Sequence, residues 1–250
     1  MVGSSQNISF ANTVLNTAVA KSFADFANVL EGAENFDEAV DTLIRETLTA
    51  HQRILFAGNS YAQEWEEEAA RRGLSNFKTA PEAFAHLDDA KNVELFERFG
   101  VMNRVELRSR REIYFANYRK IKNIEAKTML EMAARDYIPA VSAYIGDLSR
   151  NIKDTESVLL AGAPTSYERE HLIKLSELLA ATYAAHRALS SASEQAVAIE
   201  NTEQAAFYYC TDVERAMADL RHTVDSLEVI TARDYWPVPT YGDMTYREIL

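Results

Sequence analysis

Residues 165–189 read TSYEREHLIKLSELLAATYAAHRAL, and residues 201–227 read NTEQAAFYYCTDVERAMADLRHTVDSL. In the first stretch Leu172, Leu175, Leu179, Thr182, His186 and Leu189 recur at steps of three and four. In the second, Cys210, Val213, Met217, Leu220, Val224 and Leu227 do the same. Side chains at that spacing share one face of a helix, and a seam that narrow suits a coiled-coil partner. Each stretch opens on a capping-box pattern, Thr165 with Glu168 and Asn201 with Gln204, which would satisfy the orphan amides of a helix start. A few residues join them, so the pair reads as an antiparallel hairpin, and the alanines of the first helix let the backbones approach. Trp236-Pro237-Val238-Pro239 cannot be helical and ends it.

The same grammar extends toward the N-terminus. Leu15, Val19, Phe23, Phe26 and Leu30 mark one face of a helix over 12–30, widened by Val14, and Gly32 stops it. Asn35 with Glu38 opens another helix, carrying Phe36, Val40, Leu43, Ile44 and Leu48. Ile54-Leu55-Phe56 is a short apolar run, strand or buried turn, ending at Gly58-Asn59; any strand in the chain is confined to it. A short helix from Trp65 to Arg72 closes at Gly73, Thr79 with Glu82 caps one containing Pro81, and residues 88–99 end at Gly100. Asn103 with Glu106 opens the longest segment, helical to about Ile152, which Pro139 should kink or break.

The chain has 250 residues and a formal net charge of −12, with 47% hydrophobic and 10% aromatic residues. That fraction is too high for a disordered chain. Eight glycines and five prolines are roughly half of usual shares or less, which argues against turn-rich sandwiches, barrels and Rossmann sheets. The fold class is therefore all-α: a helical bundle with a long kinked helix and an antiparallel coiled-coil-like hairpin. The acidic balance repels phosphate backbones, so nucleic acid is not an expected partner. No apolar stretch is long enough to span a membrane and no export signal is visible, so a cytoplasmic location is expected. The single cysteine, Cys210, excludes an internal disulfide and CxxC metal knuckles.

Glu168-x-x-His171 has the i, i+3 spacing of helical di-iron proteins, but that chemistry needs a second such pair and two further carboxylates. The nearest partial match, Asp219-x-x-His222, carries the wrong acid, and Glu168 is better explained as the third residue of the Thr165 cap. His51, His86, His171, His186 and His222 show neither HExxH nor a triad context. His186 and Cys210 fall on the hairpin seams, where a satisfied core polar group and a small buried hydrophobe are the plain readings. Gly58-Asn59-Ser60 is too short to cradle phosphate, and the arginine-rich run over 104–119 reads as a solvated or subunit-facing surface. No catalytic, cofactor-binding or metal residue is assigned.

Several motifs, in order along the chain, resemble the C-terminal part of type III glutamine synthetase. They are Met1-Val2-Gly3-Ser4-Ser5, Asn12-Thr13-Val14-Leu15-Asn16-Thr17, His51-Gln52-Arg53-Ile54-Leu55-Phe56, Glu64-Trp65, Arg71-Arg72-Gly73-Leu74 and Asn92-Val93-Glu94-Leu95-Phe96. Asn123-Ile124-Glu125-Ala126, Thr128-Met129-Leu130 and Trp236-Pro237-Val238-Pro239-Thr240-Tyr241-Gly242-Asp243 complete the set. Ala11 stands where the family has proline, and the family's NGNGY loop is replaced by Ala57-Gly58-Asn59-Ser60-Tyr61.

The resemblance implies that Met1 lies just past the family's catalytic glutamate-x-arginine segment, leaving the metal-binding glutamates and nucleotide site outside this chain. It implies a parent that makes glutamine from glutamate, ammonia and ATP with a divalent metal (magnesium or manganese), in the cytoplasm, as a large ring-shaped oligomer. It divides the chain into residues 1–32 at the end of the catalytic-domain region, a type III-specific helical region over 33–160, the hairpin over 161–235 and a tail over 236–250. The expected partners are the chain's own catalytic domain and neighbouring subunits, and the chain alone should be inactive. The reading from another class is a free-standing helical adaptor that binds through the hairpin or the basic stretch over 104–127.

Overall fold

Helices form where caps and glycine stops frame the apolar spacing. The computed structural model describes residues 7–159, 164–239 and 241–246, is 80% helical, and holds no strand among the described residues. It groups into two compact units, Met1–Ile113 and Tyr114–Leu250, with the boundary inside the longest helix.

The first unit contains α1 (Ser9–Leu30), α2 (Phe36–Ala50), α3 (Gln63–Arg71), α4 (Ala80–Ala85), α5 (Ala90–Arg98) and the start of α6 (Arg104–Met132). Its core is Val93, Phe96, Met102 and Leu107, with Phe10, Val14 and Leu87 packed against them. Thr79 and Glu82 make a complete capping box with Pro81 in the first turn of α4, and Asn103 and Glu106 exchange the same pair of bonds at 2.8 and 2.9 Å. At α2 only half the box forms: Glu38 N–H reaches Asn35 Oδ1, while the Glu38 carboxylate meets the Asn35 amide rather than its backbone. Gly73 and Gly100 take φ of +69° and +62° at the ends of α3 and α5, a left-handed conformation that only glycine adopts at little cost.

The run Ile54-Leu55-Phe56 is neither a strand nor buried. Gln52–Ile54 is a single 3₁₀ turn, Ile54 and Leu55 are exposed, and Phe56 stacks on Trp65 at 4.3 Å. Three apolar residues cannot by themselves distinguish a strand from a turn, and here a cation decides. Arg72 Nη1 donates to the carbonyls of Leu55 (2.7 Å) and Arg53 (3.2 Å), while its guanidinium lies 5.6 Å from the centre of Trp65. A Cβ at Gly58 would stand 2.5 Å from the Phe56 ring, so any larger residue there would have to push that ring aside.

The second unit is built on the rest of α6, α7 (Ile138–Leu159), α8 (Ser166–Ala198), α9 (Thr202–Tyr208), α10 (Glu214–Ile230) and α11 (Tyr241–Tyr246). Helices α6 and α7 are joined through a π turn at Ala133–Tyr137 into one 56-residue helix. Pro139 thus neither breaks the helix nor ends it: the Ile138 N–H bonds to the Ala133 carbonyl five residues back, and the extra residue absorbs the missing proline donor. The helix runs past Ile152 to Leu159. A second π turn, Tyr209–Val213, joins α9 to α10.

The hairpin seam is the core of this unit. Leu189, Ala196, Tyr209, Val213, Leu220 and Val224 form one cluster with Ala126 and Ala133 of the long helix. Leu175 and Leu227 form another with Val141 and Leu148. The long helix is therefore a third member of the bundle, and Trp236 of the tail packs against both clusters. The Asn201 cap forms at 2.9 Å. The Thr165 cap does not: its hydroxyl donates to Glu156 Oε1 at 2.9 Å, and Glu168 Oε2 is left buried without a partner.

Candidate functional site

The structure places the sequence candidates apart from one another. His171 Nε2 lies 3.4 Å from the Tyr144 hydroxyl, and its ring stacks on Tyr167 at 5.5 Å. Asp219 and His222 are exposed on α10, and His51 is exposed at the end of α2. His86 Nδ1 pairs with Asp89 at 2.9 Å. His186 Nε2 lies 3.2 Å from the Leu130 carbonyl, a satisfied polar group inside the bundle. Among the described residues no group of three or more His, Cys, Asp or Glu side chains is placed to hold a metal ion. The divalent metal implied by the resemblance therefore finds no fitting donor set in them. The Gly58 loop offers no phosphate cradle either: Asn59 Oδ1 accepts from Tyr61 N–H at 3.0 Å, closing a local turn.

One polar network was not legible beforehand. The Tyr118 hydroxyl donates to Glu214 Oε1 at 2.8 Å, and Lys122 Nζ bridges Glu214 (3.0 Å) and Glu125 (2.9 Å). Burial, reinforced by Cys210 and Glu214, pushes the Tyr118 phenol far above its usual pKa. For Lys122 burial works against the charge, but the hydrogen bonds it donates to Glu125 and Glu214 outweigh burial and hold its pKa above the ordinary value. The Tyr209 hydroxyl reaches Asn123 Oδ1 at 3.2 Å on the same helix. The i, i+4 spacing of Tyr118 and Lys122 was the available signal. Its carboxylate partner, however, lies 96 residues from Tyr118. All these groups are mutually satisfied, as a bundle staple requires.

The arginine-rich run divides by residue. Arg111 meets Asp88 at 3.3 Å, Arg119 donates to the Val197 carbonyl at 3.2 Å, and Arg110 lies over the Phe10 ring. Arg104, Arg108, Lys120 and Lys127 face solvent. The α1 stripe also divides. Phe10 and Val14 pack into the core, whereas Leu15, Val19 and Phe23 remain 63%, 52% and 69% exposed. Phe36, Ile44 and Leu48 of α2 are exposed as well. The feature of the first unit that stands out is thus an uncovered apolar face.

A family model described as the glutamine synthetase C-terminal domain matches residues 39–156. A glutamine synthetase from Butyrivibrio fibrisolvens is 36% identical over 213 residues, which are 85% of this chain and 30% of that protein. A type-3 glutamine synthetase from Dictyostelium discoideum is 29% identical over 251 residues, covering 98% of this chain and 34% of the relative. A glutamine synthetase from Bacteroides fragilis is 28% identical over 251 residues, again 98% and 34%. The chain spans about a third of the length of these curated relatives and corresponds to their C-terminal part. With its all-helical architecture, it belongs to the glutamine synthetase C-terminal domain family. Within that family, the Dictyostelium match agrees with the type III motifs read from the sequence.

The matched segments have structural duties. Phe56, Trp65 and Arg72 form the clasp. Val93 and Phe96 are core, Ala126 is fully buried, and Trp236 closes the bundle. Among the described residues, no helix is long and apolar enough to cross a membrane.

Proposed function

We propose that this chain is the non-catalytic helical region of a type III glutamine synthetase. In that role it braces the ligase domain and contributes to contacts between subunits of a cytoplasmic homo-oligomer. The whole enzyme would join ammonia to glutamate at the expense of ATP, with a divalent metal. This region would supply shape and contact surface rather than a reacting group. The supporting observation is the α1 face, where Leu15, Val19 and Phe23 stand largely in water although a large apolar patch usually marks an interaction surface.

Three such side chains expose on the order of 300 Å² of apolar area, and covering it is worth about 7 kcal/mol at ~25 cal/mol per Å². Free association costs roughly 4–15 kcal/mol, so the face is too small to hold a separate partner tightly. Within one polypeptide that cost largely disappears, which favours the chain's own ligase domain as the occupant. The test is co-sedimentation of this chain with the N-terminal two-thirds of the Butyrivibrio fibrisolvens enzyme. Weak, saturable association abolished by Leu15→Glu plus Val19→Glu is expected. Association indifferent to those changes, or none at millimolar concentration, counts against the reading.

A further inference from the structure

Beneath the C-terminal tail of the second unit lies a cavity of about 260 Å³. Pro139 has no amide to donate, so the long helix makes a π turn at Ala133–Tyr137, and both terminal residues of that turn line the cavity. Met129 and Met132 of the long helix and Leu220 and Val224 of α10 supply its apolar lining. Thioethers are flexible and polarisable, so such a lining moulds itself to a flat apolar body. The Tyr137 ring stacks on Trp236 at 5.2 Å with 22° between the planes and makes an aromatic wall. Trp236 Nε1 is buried without an acceptor and does not open onto this space, so the indole presents carbon to it and no donor.

The charges of the lining are uneven. Past Val224, α10 contributes Asp225 and Glu228. Among the described residues that line the cavity, Arg221 is the single cation, and its Nε donates to Asp225 at 2.7 Å. Glu228 has no hydrogen-bond or ion-pair partner among the described residues. The helix end adds to the imbalance. Glu228 lies in the last turn of α10, which ends at Ile230 and carries no basic residue, and the carbonyl end of a helix is the negative pole of its dipole. These charges are felt at the aromatic wall: burial first, then Asp136 and Glu228, raise the Tyr137 phenol above its usual pKa, against a smaller opposing effect of Arg221.

We propose that this cavity binds a small cation with an aromatic body, an arylalkyl ammonium, whose rings lie against the methionines and the Tyr137–Trp236 wall and whose ammonium group meets the Glu228 carboxylate. Each half of such a molecule answers one feature of the site. The rings gain burial in the apolar lining, and the positive charge meets an unpaired carboxylate at the negative end of a helix. An anion of the same size would meet two carboxylates and that helix end, with Arg221 already held by Asp225. A neutral ring would gain burial alone. At about 260 Å³ the space is slightly below the usual range for drug-sized ligands, roughly 300–1,000 Å³, so one or two fused rings fill it. The site belongs to the second unit and α1 to the first, so this inference and the bracing role fail separately.

Titration calorimetry of the full chain with three probes of similar shape tests it: tryptamine, 3-ethylindole and indole-3-propionate, which are cationic, neutral and anionic at neutral pH. Tryptamine should bind saturably at one site per chain. The neutral probe should bind about 5-fold more weakly, the upper worth of a partly exposed ion pair, and the anion more weakly still. Salt at about 1 M should bring tryptamine down to the affinity of 3-ethylindole. Glu228→Gln should do the same at low salt and leave 3-ethylindole unchanged. Val238→Trp, which fills the cavity from the tail side, should weaken both probes more than about 10-fold, and it decides the matter if Glu228→Gln does not fold. The inference is overturned by absence of saturable tryptamine binding, or by a neutral or anionic probe that binds as tightly as tryptamine. It is equally overturned by a folded Glu228→Gln with unchanged tryptamine affinity, or by a Val238→Trp protein that binds as before.

Discussion

Leu189→Ala should be among the most damaging single truncations in the bundle. Leu189 is fully buried on α8, whereas Ile173, four turns earlier on the same helix, is 58% exposed. Losing three carbons' worth of burial removes about 2.4 kcal/mol at ~0.8 kcal/mol per methylene. The cavity left behind adds to that. Ala126, Ala133 and Ala196 share the cluster and have no side-chain length with which to lean in. The total should therefore fall in the upper part of the known 2–5 kcal/mol range, about 3–4 kcal/mol. For a cooperative unit of this size the melting midpoint should drop on the order of 10 °C. Ile173→Ala loses little burial and gains helix propensity, so its net change should stay within about 0.5 kcal/mol. Urea denaturation followed by far-ultraviolet circular dichroism measures both. Equal effects from the two variants, or less than about 1 kcal/mol from Leu189→Ala, would refute the assignment of the seam.

Gly100→Ala should destabilise the first unit by about 1 kcal/mol, because φ is +62° there and a Cβ strains that conformation; a thermal melt unchanged from the parent would contradict it. His171→Ala should cost about 1 kcal/mol through loss of its stacking on Tyr167. Calorimetry with added manganese or zinc, or with a chelator, should shift neither parent nor variant; a metal-dependent rise abolished by the substitution would restore Glu168 and His171 as ligands. Hydrogen bonds from Arg169 and then Thr165 hold the Glu156 carboxyl below its usual value of 4.5. Its contribution is thus present above about pH 4.5 and is lost as the pH falls through the depressed folded value. Glu156→Gln should lower the urea midpoint at neutral pH and match the parent in strong acid, and the reverse order would show the ion pair to be irrelevant.

What the sequence made legible was whatever rests on local spacing. The seam residues Leu175, Leu189, Val213, Leu220 and Leu227 could be read from steps of three and four because a buried helix face repeats at that period. The caps at Thr79, Asn103 and Asn201 were readable because both partners lie within one turn. The misreadings arose where a distant group competed. Thr165 gave its hydroxyl to Glu156 instead of capping α8, and Arg72 drew the Ile54–Phe56 run into a turn. Pro139 was expected to kink or break the long helix, and the π turn that instead carries the helix through it is a property of the packed helix. The Tyr118–Glu214 bond and the orphaned Trp236 donor depend on tertiary placement alone. Nothing in local periodicity announces them.

The central claim is that this region supports a ligase through the exposed face of α1 rather than by reacting groups of its own. The most direct measurement is glutamine synthesis by a chimera in which this chain replaces the matching C-terminal third of the Butyrivibrio fibrisolvens enzyme. Purified chimera should make glutamine from glutamate, ammonia and ATP, and the chain alone should make none. Leu15→Glu plus Val19→Glu should abolish the chimera's activity while leaving the helical content of the region intact. A chimera whose activity survives those two changes, or glutamine formed by the isolated chain, would contradict the account.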